Sequence, residues 1–184
     1  MAYEITPTEY LVEERAAEYK HEYYRGKVTA MSGASLAHND ILANLIGDVR
    51  NVLKGKPCRI LPSEMRVTTL SGDVYMYPDA VIVCGKPELT DDHFDTLLNP
   101  VVIFEILSPS TAAHDRNKKF AFYQQIPSFK EYILIDSTQL FIEVSRRRAD
   151  GSWTHEASSD PNGQLHIESV GALLSHKEIY RNVF

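Results

Sequence analysis

The sequence predicts a mixed α/β (α+β) domain in which a central mixed β-sheet is flanked by helices. Two observations carry this. Val101-Val-Ile-Phe-Glu-Ile-Leu107 is an apolar run of strand length, the signature of a strand buried on both faces. Helical and strand patterns also follow one another in the order helix, strands, helix, strands, which packs as one sheet with helices against it. The 184 residues suit one domain, 1–184.

The elements follow in chain order. Residues 6–20 read as an amphipathic helix with an acidic face, capped by Thr6 or Thr8, with Pro7 in its first turn. His21-Glu-Tyr-Tyr-Arg-Gly-Lys-Val-Thr-Ala-Met31 reads as two short strands around a turn at Arg25-Gly26, ended by Ser32-Gly33. A long helix follows from Ser35 to Leu53, because Ile41, Leu42, Leu45, Ile46, Val49 and Leu53 keep helical spacing. Gly55-Lys-Pro57 stops it.

Short strands come next at 58–61, 65–70, 74–77 and 79–84, with a turn at Ser71-Gly-Asp73. Residues 85–99 are polar and acidic and read as a loop. After the 101–107 strand, Ser110 or Thr111 is placed to cap a helix running from Ala112 to Gln125, before Pro127. Strands are expected at 131–136, 140–145 and 153–157, then a final strand and a short helix.

Composition narrows the function. No stretch approaches the roughly 20 apolar residues of a membrane span. Met-Ala-Tyr-Glu at the start has neither the basic nor the apolar region of a signal peptide. Cys58 and Cys84 lack metal-site or redox spacing, so neither a disulfide framework nor a zinc site is expected. The reading is a soluble cytoplasmic protein. A net charge of −6 argues against a coat of basic charge for non-specific nucleic-acid binding, but leaves room for a local basic groove.

The chemistry starts from Glu105. A carboxylate inside a buried strand needs a cation, a donor or a metal. Asp79 opens the preceding apolar strand, and neighbouring strands lie about 4.8 Å apart, so the two carboxylates can converge. Such a pair offers oxygen ligands to Mg²⁺. Alternatively, each carboxylate serves structure alone, Glu105 in an ion pair and Asp79 as a cap. Leu107 shares the face of Glu105 and offers no charge. Asp115, Lys119 and Tyr123 are spaced by four and stack along one helix face, from which Lys119 can return to the carboxylates. Against this stands an ordinary surface pair between Asp115 and Lys119.

Tyr77-Pro-Asp79, then Phe104-Glu-Ile-Leu-Ser-Pro-Ser-Thr111, then Asp115-Arg-Asn-Lys-Lys-Phe-Ala-Phe-Tyr123, resembles the Uma-two family of putative restriction endonucleases, within the PD-(D/E)XK nuclease superfamily. The similarity runs from about Thr6 to Asn182. It implies a restriction-endonuclease-like fold and a Mg²⁺-dependent phosphodiesterase site, with Mn²⁺ as an alternative ion. It carries the acidic roles to Asp79 and Glu105. Where the superfamily motif has lysine this chain has Leu107, and the family's lysine on the following helix is Lys119. Glu22, before the turn glycine Gly26, resembles an upstream acid that serves some of these nucleases as an extra metal ligand. Read alone, Glu22 is equally a solvated acid. His38 also matches a family position. It lies on the buried side of its helix, as a core residue or near a phosphate.

The implied activity is a metal-dependent endonuclease acting on nucleic acid, above all DNA, with Asp115 and Tyr123 supporting Lys119. A homodimer is expected, since two strands are cut conveniently by two sites. A binding module without catalysis and a nuclease for RNA or single-stranded DNA are the rival readings. Asp91, Asp92, His93 and Asp95 read as a solvated loop, Arg146-Arg147-Arg148 as a solvated basic run, and most tyrosines as packing residues.

Overall fold

The computed structural model describes residues 4–184; Met1–Tyr3, part of the stretch considered above for a signal peptide, lie outside the described residues. Helix α1 (Pro7–Ala16) is capped by Thr6, whose hydroxyl accepts the Glu9 N–H while Glu9 accepts the Thr6 N–H. It stops four residues earlier than the pattern suggested. Ala17 is extended, and the Glu14 carboxylate takes the His21 N–H at 2.9 Å, turning the chain into the next strand. Strands β1 (His21–Tyr24) and β2 (Lys27–Ala30) form the expected hairpin. Arg25 and Gly26 both have positive φ, 45° and 88°, the requirement of a tight primed turn.

Helix α2 (Leu36–Val52) is capped by Ser35 and buries Ile41, Leu45 and Val49. Strands β3 (Cys58–Pro62), β4 (Arg66–Thr68), β5 (Val74–Met76) and β6 (Ala80–Cys84) follow. The 85–99 segment carries a two-residue strand, β7 (Thr96–Leu97), whose Leu97 is fully buried. Then come β8 (Val102–Leu107), β9 (Glu131–Asp136), β10 (Ile142–Arg147), β11 (Trp153–Ser158), β12 (Gln164–Ile167), β13 (Ala172–Ser175) and α5 (His176–Ile179).

The expected central mixed sheet has six strands in the order β11-β10-β9-β8-β6-β3, with β8 and β9 parallel. A second, five-stranded sheet, β2-β1-β5-β4-β7, accompanies it. Tyr77-Pro78 separates β5 from β6, and a proline has no N–H to continue a ladder. Every residue of β8 is buried. Its side chains alternate: Phe104 and Ile106 pack with α2, while Ile103 and Leu107 pack on the other face with Phe122, Phe129 and Tyr132.

That second face receives the helix after β8. It has α-helical ends, α3 (Ala112–His114) and α4 (Phe120–Tyr123), joined by one π turn over Asp115–Lys119. π turns of this kind cluster at functional sites. Thr111 precedes the helix without capping it; its hydroxyl accepts the Ser108 N–H instead.

One expectation is corrected here. Cys58 and Cys84 form a disulfide. Their spacing of 26 residues carries no motif, but the antiparallel register of β3 and β6 sets them directly opposite each other.

Candidate active site

The site forms where β1, the β5–β6 corner, β8 and the π turn meet. Register decides its first pair. Ala80 faces Phe104 across β6 and β8, so Asp79 lies beside Glu105, and Asp79 Oδ2 accepts the Ile106 N–H at 2.7 Å. The convergence expected of these two carboxylates is present.

The π turn supplies the cation. Lys119 Nζ lies 3.2 Å from Glu105 Oε1, 3.0 Å from Glu22 Oε1 and 3.4 Å from Asp115 Oδ1. The Tyr123 hydroxyl donates to Glu105 Oε1 at 3.0 Å. Tyr132 donates to the Asp115 carbonyl oxygen, which ties the π turn to β9. Leu107 is buried in the apolar core beside this helix and leaves the charged role to Lys119. The surface-pair alternative for Asp115 and Lys119 fails, because both are buried. Glu22 is not a solvated acid either; its carboxylate touches Lys119 and faces His114 Nε2 at 3.4 Å.

His38 and His114 flank the carboxylates. His38 Nε2 lies 3.1 Å from Asp79 Oδ1, and its Nδ1 is buried without a hydrogen-bond partner among the described residues. His114 Nε2 is likewise buried without a hydrogen bond, its approach to Glu22 being too poorly formed to count as one. His114 escapes sequence reasoning because it lies off the Asp115-Lys119-Tyr123 stripe. Only the packing of β1 against the π turn brings it to Glu22.

Three carboxylates, those of Glu22, Glu105 and Asp115, thus surround one ammonium. Burial, and then the negative charges of Asp115, Asp79 and Glu22, push the Glu105 carboxyl well above its ordinary range against the pull of Lys119. Burial alone would depress Lys119, but Glu105, Glu22 and Asp115 overrule it and hold the ammonium charged. Burial also opposes ionisation of Glu22, yet His114 and Lys119 outweigh it and keep that carboxyl below its usual value. Burial and the Glu105 charge push the Tyr123 phenol up, so it stays a donor.

The donor set fits a divalent cation. The hydrogen bonds to Glu105 all land on Oε1, leaving Oε2 without one among the described residues. The surplus negative charge that raises Glu105 is what such a cation would neutralise. Among the described residues no three His, Cys, Asp or Glu side chains form a ready metal cage. Mg²⁺ needs none, since it binds through one or two carboxylates and keeps waters and substrate oxygens.

The other candidates serve structure. Asp91 and Asp95, expected in a solvated loop, pair with Arg15 at 2.7 and 2.8 Å, and Asp95 also pairs with Arg66. His93 stays exposed. Arg146 is not solvated: it binds Glu131 at 3.1 Å and Glu156 at 2.5 Å. Arg147 donates to backbone carbonyls of Gln124 and Ile126 and covers the Trp153 ring.

The Uma2 family, described as "Putative restriction endonuclease", matches residues 7–175. The chain is 32% identical over 182 residues to the uncharacterized protein slr1290 of Synechocystis sp. (strain ATCC 27184 / PCC 6803 / Kazusa), covering 97% of this chain and 93% of that one. It is 34% identical over 149 residues to sll1609, an uncharacterized protein of the same organism, covering 81% and 84%. The crystal structure of a putative nuclease belonging to DUF820 from Anabaena variabilis ATCC 29413 has the same fold, with a TM-score of 0.80, 22% identity, and 98% and 99% of the two chains covered. Matched over residues 7–175 and sharing 32% identity across nearly the whole of a relative, the chain belongs to the Uma2 family of putative restriction endonucleases.

Proposed function

We propose that this protein is a divalent-metal-dependent endonuclease hydrolysing phosphodiester bonds, with DNA as its main substrate and Mg²⁺ or Mn²⁺ as its ion. One observation carries the reading: Asp79 and Glu105 lie side by side on paired strands, with Lys119 held 3.2 Å from Glu105 by a buried network. Asp79 and Glu105 would hold the metal, with Glu22 as a further ligand. A bound metal supplies a water of lowered pKa and polarises the phosphate. Lys119, charged at neutral pH, steadies negative charge developing on the phosphoryl oxygens or orients the attacking water. Tyr123 and Asp115 keep Lys119 and Glu105 in register, and the Tyr123 hydrogen bond to Oε1 leaves Oε2 for the cation. His38, 3.1 Å from Asp79, would contact the substrate phosphate from beside the carboxylates. A homodimer pairs two such sites across a duplex.

A binding module without catalysis remains the second reading, favoured by the closure of Lys119 against three carboxylates. Cleavage of duplex DNA, single-stranded DNA and RNA with Mg²⁺, Mn²⁺ or EDTA separates the two. The nuclease reading expects metal-dependent cleavage that is lost in Asp79→Ala and Glu105→Ala. Equal cleavage by wild type and both variants overturns it. Metal-independent binding without any cleavage establishes the module. Light scattering with DNA tests the dimer, and a monomer would refute it. Among the described residues, no helix is long and apolar enough to cross a membrane.

A further inference from the structure

Strand β1 runs past the site into a cleft. Side chains alternate along a strand, so Glu22 and Tyr24 share one face, while Tyr23 turns away into a cluster with Tyr10 and Tyr75. Glu22 meets Lys119; about 7 Å further along the strand, Tyr24 faces the outer side of the same helix. Between Tyr24 and that outer helix side lies a cleft of about 230 Å³, lined by Tyr24, Arg25, Asn117, Lys118, Ala121 and Gln125, with the buried Val74 and Phe122 beneath.

Its lining is unlike an ordinary surface groove. Tyr24 is 41% exposed, a large aromatic ring left at the mouth. The Arg25 guanidinium lies over that ring at 5.6 Å, held there by an ion pair of its Nε with Asp73 at 2.9 Å, and adds a second planar group. Lys118 is exposed. Asn117 and Gln125, also exposed, each donate one amide hydrogen to a carbonyl four residues back, of Ala113 and Ala121, and keep a second hydrogen and the amide oxygen for a ligand. An aromatic ring, a guanidinium plane, an exposed lysine head and two amides match one ligand chemistry. The ring and guanidinium suit the π-face of a nucleobase, the lysine its phosphate, and the amides its edge.

We infer that this cleft binds one unpaired nucleotide of the substrate strand, its base stacked on Tyr24 and its phosphate at Lys118. The inference rests on the nuclease reading and names the form of the substrate beside the site. A base held there is out of its stack, so the nucleic acid engaged is single-stranded or locally opened.

The test is binding, without cleavage. A fluorescently labelled single-stranded oligonucleotide of mixed sequence is titrated in EDTA, and its anisotropy followed over a range of salt concentrations. The proteins are wild type, Tyr24→Ala, Tyr24→Phe and Lys118→Ala. Tyr24→Ala should weaken binding about 10-fold, the scale of one base–aromatic stack, and Tyr24→Phe should restore it. Lys118→Ala should reduce the slope of log affinity against log salt by about 0.7, the share of one phosphate on a single strand. Unchanged affinity in Tyr24→Ala overturns the inference, as does equal loss in Tyr24→Phe, which would mark a hydroxyl contact instead of a stack. Absence of binding by the wild type also overturns it. Metal-dependent cleavage by the same preparation then shows that the nuclease reading stands without it.

Discussion

Replacing Lys119 with methionine keeps the length of the side chain and removes its charge. In the wild type the ammonium is buried and lies 3.0, 3.2 and 3.4 Å from Glu22, Glu105 and Asp115. At an effective dielectric constant of about 20, each contact is worth about 5 kcal/mol of gross attraction. Desolvation of the ammonium offsets several kcal/mol of that. The variant leaves the carboxylates buried without a counter-charge, which costs about 3–5 kcal/mol when one partner of a buried pair is removed. That is a large part of the 5–15 kcal/mol by which a domain is stable.

The sign of the pH dependence follows. Without Lys119 the folded-state pKa of Glu105, already raised, climbs further above the unfolded value of about 4.3, and Glu22 loses one of the charges that hold its carboxyl down. The folded variant then binds more protons than the unfolded chain, so its stability falls as pH rises through that window. Urea titrations at about pH 5 and pH 8 should show a larger loss at the higher pH, and the proposed Mg²⁺ site should recover part of it, as a ligand of the folded state does. A loss below about 1 kcal/mol, or one that is larger at low pH, would refute the account of the buried charge.

Three further outcomes are expected. Tyr123→Phe removes the donor to Glu105 Oε1 and should lower stability by about 1–3 kcal/mol in urea titrations, with a fall in metal-dependent cleavage, because Glu105 is buried. Reduction of the Cys58–Cys84 disulfide, which closes a loop across 26 residues, should lower stability by about 3 kcal/mol, and peptide mapping without reductant should recover the linked peptides. Asp95 is opposed by burial, yet Arg15, Arg66 and Thr96 hold its carboxyl well below the usual range. Its contribution is therefore present above the unfolded pKa of about 3.9 and is lost as pH falls towards the folded value; Asp95→Asn should be less stable at pH 7 and lose that part of the acid transition, measured by circular dichroism.

Much of the arrangement was legible in the residues. The β8 run, all apolar but for Glu105, requires a fully covered strand, and it is one. Ser35 and the apolar stripe of α2 define that helix almost to the residue, because capping and periodicity are local. Asp79, Glu105 and Lys119 were candidates from alternation and spacing, and the tertiary structure brings all three together. The π turn was not legible: a spacing of four cannot distinguish an α-helix from a helix with one widened turn.

What depends on non-local pairing came only with the fold. The antiparallel register of β3 and β6 sets Cys58 against Cys84, which no local spacing announces. Packing of β1 against the helix brings Glu22 and His114 together from segments more than 90 residues apart in the chain. The segment after β6 looked solvated because its acids are polar in isolation, yet Arg15 and Arg66, from α1 and β4, turn Asp91 and Asp95 into structural anchors. By itself the sequence determined which elements form and which residue types can do chemistry, since both follow from short-range periodicity and side-chain chemistry. The tertiary structure alone decided which charges meet, because partners at long separation are chosen by sheet register and packing.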